Sequence, residues 1–278
     1  MKKMLCVCLG CFCFLALTAE VNAGSKNALV IGNASYSFSP LKNPVNDADD
    51  LTESLQDIGF DVIRLTNGTK TEMIRAAQAF QDRLSRRRGV GLFYYAGHAI
   101  QVQDKNYLIP VDARLEDTLT LSEDTIKLDG FLHSFNNTSS KANIIILDAC
   151  RNNPFNKYAK KGSNTITRAV DRTVVVERAK GLATVHAESG TFIAYATSPD
   201  REASDGSGRN GTYTKYLLKH IKTAGLTIEE LFKKVRVDVQ QATDGQQIPW
   251  ERSSLVEKFY FVKPEKREGG KRRLFGTF

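Results

Sequence analysis

Along this chain, short runs of consecutive apolar, β-branched and aromatic residues alternate with longer segments in which apolar residues recur every three or four positions. Runs of the first kind read as strands buried on both faces, and segments of the second kind as helices with one apolar stripe. Residues 28–32, 60–65, 89–95, 143–147 and 191–197 are strands by this criterion, and 255–262 reads as a last one. The helices are 46–58, 69–87, 128–135, 213–221 and 228–242. In the first, Ala48, Leu51, Leu55 and Ile58 form the stripe and Gly59 closes it; in the second, Thr69 is the cap and Met73, Ala77, Phe80 and Leu84 share a face. Residues 100–102 and 107–109 flank a polar stretch and predict a small hairpin. Strands alternating with helices predict an α/β fold: a mostly parallel sheet of about six strands with helices on both faces.

Two of the apolar runs end on residues able to do acyl-transfer chemistry. Residues 91–97 deliver His98, and 144–149 deliver Cys150. In an open α/β sheet, ligands bind beyond the carboxyl ends of the strands. Neighbouring strands would set the imidazole and the thiol side by side at one rim, as general base and nucleophile. A thiol of ordinary pKa is mostly protonated at neutral pH, so it needs such a partner. Taken singly, Cys150 reads more readily as a buried thiol and His98 as a hydrogen-bonded strand-end residue. Their coincidence at matching strand ends favours the catalytic reading.

The first residues stand apart. Lys2 and Lys3 precede an apolar run from Met4 to Leu17, and Val21-Asn22-Ala23 has the small-residue pattern of a cleavage site. This predicts a signal peptide over 1–23 and an exported protein, periplasmic or secreted. Cys6, Cys8, Cys11 and Cys13 lie in that leader, so the mature chain keeps Cys150 alone and has no intramolecular disulfide. After the leader, no segment is apolar and long enough to span a membrane. The net charge of +8 is concentrated in Arg86-Arg87-Arg88, in 157–180 and in a tail over 263–278. With no zinc-finger spacing, RNP motif or aromatic-interleaved basic stripe, nucleic acid is not an expected partner. The expected layout is therefore a leader, one domain over 24–262 with an irregular basic loop at 156–190, and a basic tail.

Tyr94-Tyr95-Ala96-Gly97-His98 and Leu147-Asp148-Ala149-Cys150-Arg151 resemble the histidine and cysteine motifs of the caspase-like cysteine peptidases, particularly their bacterial members. Leu29-Val30-Ile31-Gly32-Asn33 and Ala196-Thr197-Ser198 also match, and the resemblance runs from about residue 26 to 221. It implies a three-layer sandwich, with Cys150 as nucleophile and His98 as general base and acid. Caspases carry glutamine two residues before the nucleophile; metacaspases and paracaspases carry an acid, here Asp148. The resemblance adds Asp47 and Asp205 to the same pocket. Such carboxylates would be neutralised by the guanidinium of a P1 arginine, so cleavage after Arg or Lys is expected, on peptide or protein substrates. Read without the resemblance, Asp47 is a first-turn acid near a helix N-terminus and Asp205 a turn residue.

The family usually has glycine after the histidine, where the backbone N–H serves the oxyanion hole together with that of the nucleophile. Here the pair is Ala99 and Cys150. If the position requires positive φ, alanine costs about 1 kcal/mol or misaims the donor. A caspase-fold scaffold that binds basic peptide segments without cleaving them is the alternative this raises. The loop over 157–180 lies where relatives have an intersubunit linker, and its Lys and Arg residues make self-cleavage one reading and a solvated loop the other. No cofactor is required; calcium is possible, with Asp117, Glu123 and Asp124 as oxygen donors, although a solvated acidic loop explains them equally. Residues 206–211 match a dinucleotide-binding pattern but lack its strand–turn–helix context. The oligomeric state is left open.

Overall fold

The apolar runs form one sheet, and its connectivity decides which strand ends meet. The computed structural model describes residues 24–86, 89–102, 105–114, 121–136, 140–150, 165–166, 174–175, 182, 185, 188–198, 206 and 208–265. In chain order the elements are β1 (Ser25–Gly32), α1 (Pro44–Asp57), β2 (Asp61–Thr66), α2 (Lys70–Arg86), β3 (Gly89–Val102), β4 (Lys105–Leu108), α3 (Leu121–Asp124), β5 (Ile126–Lys127), α4 (Leu128–Asn136), β6 (Ala142–Cys150), β7 (Thr165–Ile166), β8 (Val174–Val175), β9 (Thr191–Tyr195), α5 (Thr212–Ile221), α6 (Ile228–Ala242) and β10 (Trp250–Ser253).

The main sheet has the order β10-β9-β6-β3-β1-β2, parallel throughout except for β10. Its strands are apolar on both faces because both faces are covered. Ala28, Val30, Leu92, Tyr94, Ile144 and Ile146 pack under α1, α5 and α6 through Leu51, Leu217 and Leu231. The alternate residues Leu29, Ile31, Phe93, Tyr95, Ile145 and Leu147 pack under α2 and α4 through Phe80 and Phe131. This is the three-layer α/β sandwich of the caspase type, as expected.

Helix starts follow local chemistry. A reciprocal capping box between Thr227 and Glu230 opens α6, and Thr69 and Glu72 exchange the same bonds before α2. Pro44 sits at the first position of α1, where its missing N–H costs nothing.

Three expectations change. The strand expected to stop at Tyr95 runs on through His98, because Ala99 to Val102 continue β3 into the hairpin with β4. The last strand is Trp250–Ser253 rather than 255–262. Phe259 and Phe261 are buried, and their alternation mimics a strand, yet this segment makes one isolated bridge, Tyr260 with Thr227. The true edge strand is polar (Trp-Glu-Arg-Ser), as edges commonly are, and so gave no apolar signal. Within the loop expected to be irregular, β7 and β8 form a short antiparallel ladder. No helix among the described residues is long and apolar enough to cross a membrane. The leader and the tail beyond 265 lie outside the described residues.

Candidate active site

β3 and β6 are adjacent and parallel, and their register pairs His98 directly with Cys150. Neighbouring strands lie about 4.8 Å apart, so the two backbones stand side by side at the carboxyl rim.

The His98 side chain is buried (3% exposed). Its Nε2 lies 2.8 Å from the carbonyl oxygen of Ser39, in the loop after β1. A carbonyl only accepts, so Nε2 carries the proton and the basic lone pair of the neutral ring is on Nδ1. Tyr36 and Phe38 from the same loop flank the imidazole, with ring centroids 4.5 and 5.5 Å away. Neither Ser39 nor these aromatics carried a recognisable signal in the sequence, since the loop over 34–40 has no motif.

Ala99 is free of the strain its identity raised. Among described non-glycine residues, positive φ occurs at Asn67 and Asp244 only. The direction of the Ala99 N–H follows from the peptide it belongs to. Ile109 N–H donates to His98 O at 3.0 Å, and Asn33, at the end of β1, donates its side-chain amide to Ile109 O. The His98 carbonyl therefore points to the β1 edge. In a trans peptide the following N–H points the opposite way, toward β6 and Cys150.

The carboxylates gather on the α1/α5 face. Asp47, in the first turn of α1, is buried (3% exposed) and its Oδ1 accepts from Gly211 N–H at 2.9 Å. Asp148 continues the row of Ile144 and Ile146 in β6, and its Oδ2 accepts from the Thr214 hydroxyl at 2.7 Å. The Tyr94 hydroxyl is 2.6 Å from the same Thr214 oxygen. A Cβ added to Gly211 would lie 3.1 Å from Asp47 Oδ2 and 3.6 Å from Asp148 Oδ2, so the two carboxylates converge on one point. Gly211 is the N-cap of α5, whose positive end faces them. Burial, then the charges of Asp47 and Asp148, push the Tyr94 phenol well above its ordinary range.

A strap from Arg209 to Gly211 is tied to α1. Arg209 Nε and Nη2 donate to Asp50 at 2.9 and 2.7 Å, the Asn210 amide donates to Asp50 Oδ2 at 2.8 Å, and Asn46 donates to Arg209 O at 3.0 Å. The Arg209 hydrogen bond leads in holding the Asp50 carboxyl below its usual value. The stretch over 209–211 thus serves this cluster.

Asp205, Asp117 and the basic residues of the 157–180 loop lie outside the described residues. Glu123 and Asp124 sit in α3, where Lys70 Nζ already donates to the carbonyls of Ser122 and Glu123 at 3.1 and 2.5 Å. Among the described residues no group of three or more His, Cys, Asp or Glu side chains is arranged to hold a metal ion.

The model of the Caspase domain matches residues 25–260. The mouse "mucosa-associated lymphoid tissue lymphoma translocation protein 1 homolog" is 31% identical over 254 residues, covering 89% of this chain and 28% of that protein. Its human counterpart is 30% identical over the same shares. Rat caspase-1 is 26% identical over 251 residues, 84% of this chain and 58% of its own. The chain thus spans little more than a quarter of the first two relatives' length.

Proposed function

The chain belongs to the Caspase domain family, and from that premise we propose that it is a cysteine endopeptidase that cleaves after Arg or Lys. The observation that carries this reading is the register pairing of His98 with Cys150, with Nε2 of the imidazole bonded to Ser39 O. In this mechanism the Cys150 thiol gives its proton to His98 Nδ1, and the thiolate adds to the scissile carbonyl. The Ala99 and Cys150 N–H groups receive the oxyanion. The C–N bond then breaks, the leaving amine takes the proton from His98, and a thioester remains. Water attacks that thioester, its proton passes to His98, and Cys150 leaves as the thiol.

Asp47 and Asp148 form the pocket for the P1 cation. Their convergence beside Gly211 provides paired acceptors for a planar guanidinium. Ala99 supports peptidase activity over the scaffold reading, because its ordinary backbone removes the penalty that favoured the latter.

Fluorogenic peptides ending in Arg, Lys or Asp test the proposal, using the mature protein beside Cys150→Ala. Turnover after Arg or Lys that vanishes in the variant is the expected result. Turnover only after Asp would sink the pocket assignment, and none from folded protein would return the chain to the scaffold reading. We further propose export through the leader over 1–23, expected to yield a mature protein beginning at Gly24 by N-terminal sequencing. Self-processing in the 157–180 loop predicts fragments in the intact mass spectrum that Cys150→Ala lacks.

A further inference from the structure

We propose that Tyr36 and Tyr95 are positioning residues that hold the His98 backbone from both sides and thereby aim its imidazole. The proposal rests on the dyad reading above and extends it to residues without chemistry of their own.

In a hydrogen-bonded antiparallel pair, residues exchange both N–H···O bonds. Ile109 N–H donates to His98 O at 3.0 Å, which is half of such an exchange. The other two groups of the pair, His98 N–H and Ile109 O, are bridged by a phenol. The Tyr36 hydroxyl is inserted there: it accepts from His98 N–H at 3.0 Å and lies 3.0 Å from Ile109 O, to which it donates. Tyr95 Oη lies 2.7 Å from His98 O, to which it donates its one proton, 3.0 Å from Ile109 O and 3.3 Å from the Tyr36 oxygen. Both backbone polar groups of His98 are therefore gripped by phenol hydroxyls, in a network that is buried throughout.

The Tyr36 hydroxyl thus bridges two backbone groups of the β3 and residue-109 segments. Gly97 has φ +154°. It also makes room for both hydroxyls, since a Cβ there would lie 2.6 Å from Tyr36 Oη and 2.9 Å from Tyr95 Oη. Tyr36 acts twice, because its ring also packs against the imidazole. One side chain thus couples the backbone of His98 to its ring. A general base displaced by a fraction of an ångström loses much of its effect, which is why such a clamp bears on rate.

The test compares Tyr36→Phe and Tyr95→Phe, which keep the rings and delete the hydroxyls, with Tyr195→Phe. Tyr195 lies in the same layer, and its hydroxyl accepts from Val185 N–H at 3.0 Å, so that variant controls for loss of a buried phenol bond. Three readouts are taken on the mature protein: Tm, kcat and KM on an Arg peptide, and the His98 imidazole resonances in histidine-labelled NMR, assigned with His98→Ala. The expected result is a fall in kcat of about ten- to a hundredfold in Tyr36→Phe, with KM within about twofold. Tyr95→Phe should move in the same direction, and the His98 resonances should shift or broaden in both. Tyr195→Phe should lower Tm and leave kcat and His98 unchanged. Folded Phe variants with wild-type kcat and wild-type His98 resonances would overturn the proposal, as would an equal kcat loss in the Tyr195 control. Failure of the underlying reading shows differently. In that case wild-type Cys150 alkylates with iodoacetamide at an ordinary thiol pH and His98→Ala does not alter it.

Discussion

Gly211, at the start of α5, donates its backbone N–H to the buried carboxylate of Asp47 in the first turn of α1. The contact joins residues 164 positions apart. Gly211 has φ −57° and ψ 149°, which any residue adopts, so the glycine is there for space rather than for backbone freedom. Gly211→Ala should therefore fold, with a methyl group between Asp47 and Asp148. We expect KM for Arg peptides to rise about tenfold, equivalent to ~1.4 kcal/mol, with little change in kcat. Steady-state kinetics on Arg and Lys peptides checks this; an unchanged KM for both would mean that the P1 side chain binds elsewhere.

Asp47→Asn and Asp148→Asn keep an acceptor for Gly211 N–H and Thr214 Oγ1 but remove the charge. Losing one partner of a desolvated ion pair costs about 2–5 kcal/mol, so kcat/KM for Arg peptides should fall at least ~30-fold in each. Citrulline, the neutral isostere of arginine, provides the comparison. The wild type should discriminate strongly between the two at P1, and the Asn variants should lose most of that discrimination.

Gly97→Ala tests the crowding at the histidine. The added Cβ would overlap both phenol hydroxyls at a φ that L-residues rarely adopt. A loss of about 2–4 kcal/mol in unfolding free energy is expected from strain and overpacking together. Urea denaturation measures it, and a loss below ~1 kcal/mol would show that the clamp yields easily.

Asp238, on α6, accepts from Lys219 Nζ and from His220 Nε2, each at 2.7 Å. The Lys219 bond is the largest cause holding its carboxyl below the ordinary 3.8, with His220 adding to it. The folded carboxyl binds protons less readily than the unfolded one. Its contribution to stability is therefore complete above the ordinary carboxylate range and lost as pH falls through the folded value. Asp238→Asn should have a Tm lower by about 1–2 °C at pH 6, the size expected of a largely surface pair. That gap should close as the pH is taken from 5 down toward 2. A gap of constant size across the range would assign the effect to packing.

How much was legible beforehand depends on how local the governing physics is. The helices expected over 213–221 and 228–242 match α5 and α6 to within a residue, because a 3.6-residue apolar period is a property of adjacent residues. β10 was missed because an edge strand of Trp-Glu-Arg-Ser has no apolar period to show. The buried Phe259 and Phe261 suggested a strand nearby, but they pack without a ladder.

The sequence by itself determined the alternation of two-face-buried strands with one-face-buried helices, and with it the sandwich. It also marked His98 and Cys150 as the residues that follow two such apolar runs. Only the tertiary structure decided that β3 and β6 are neighbours in a register that pairs those two residues. It alone recruited Ser39 O, Tyr36 and Gly211, from loops with no periodicity of their own, to the imidazole and the carboxylates. The reason is physical: periodicity is set by nearest neighbours along the chain, whereas these hydrogen bonds join residues tens to more than a hundred positions apart. They form only after packing has brought their backbones together.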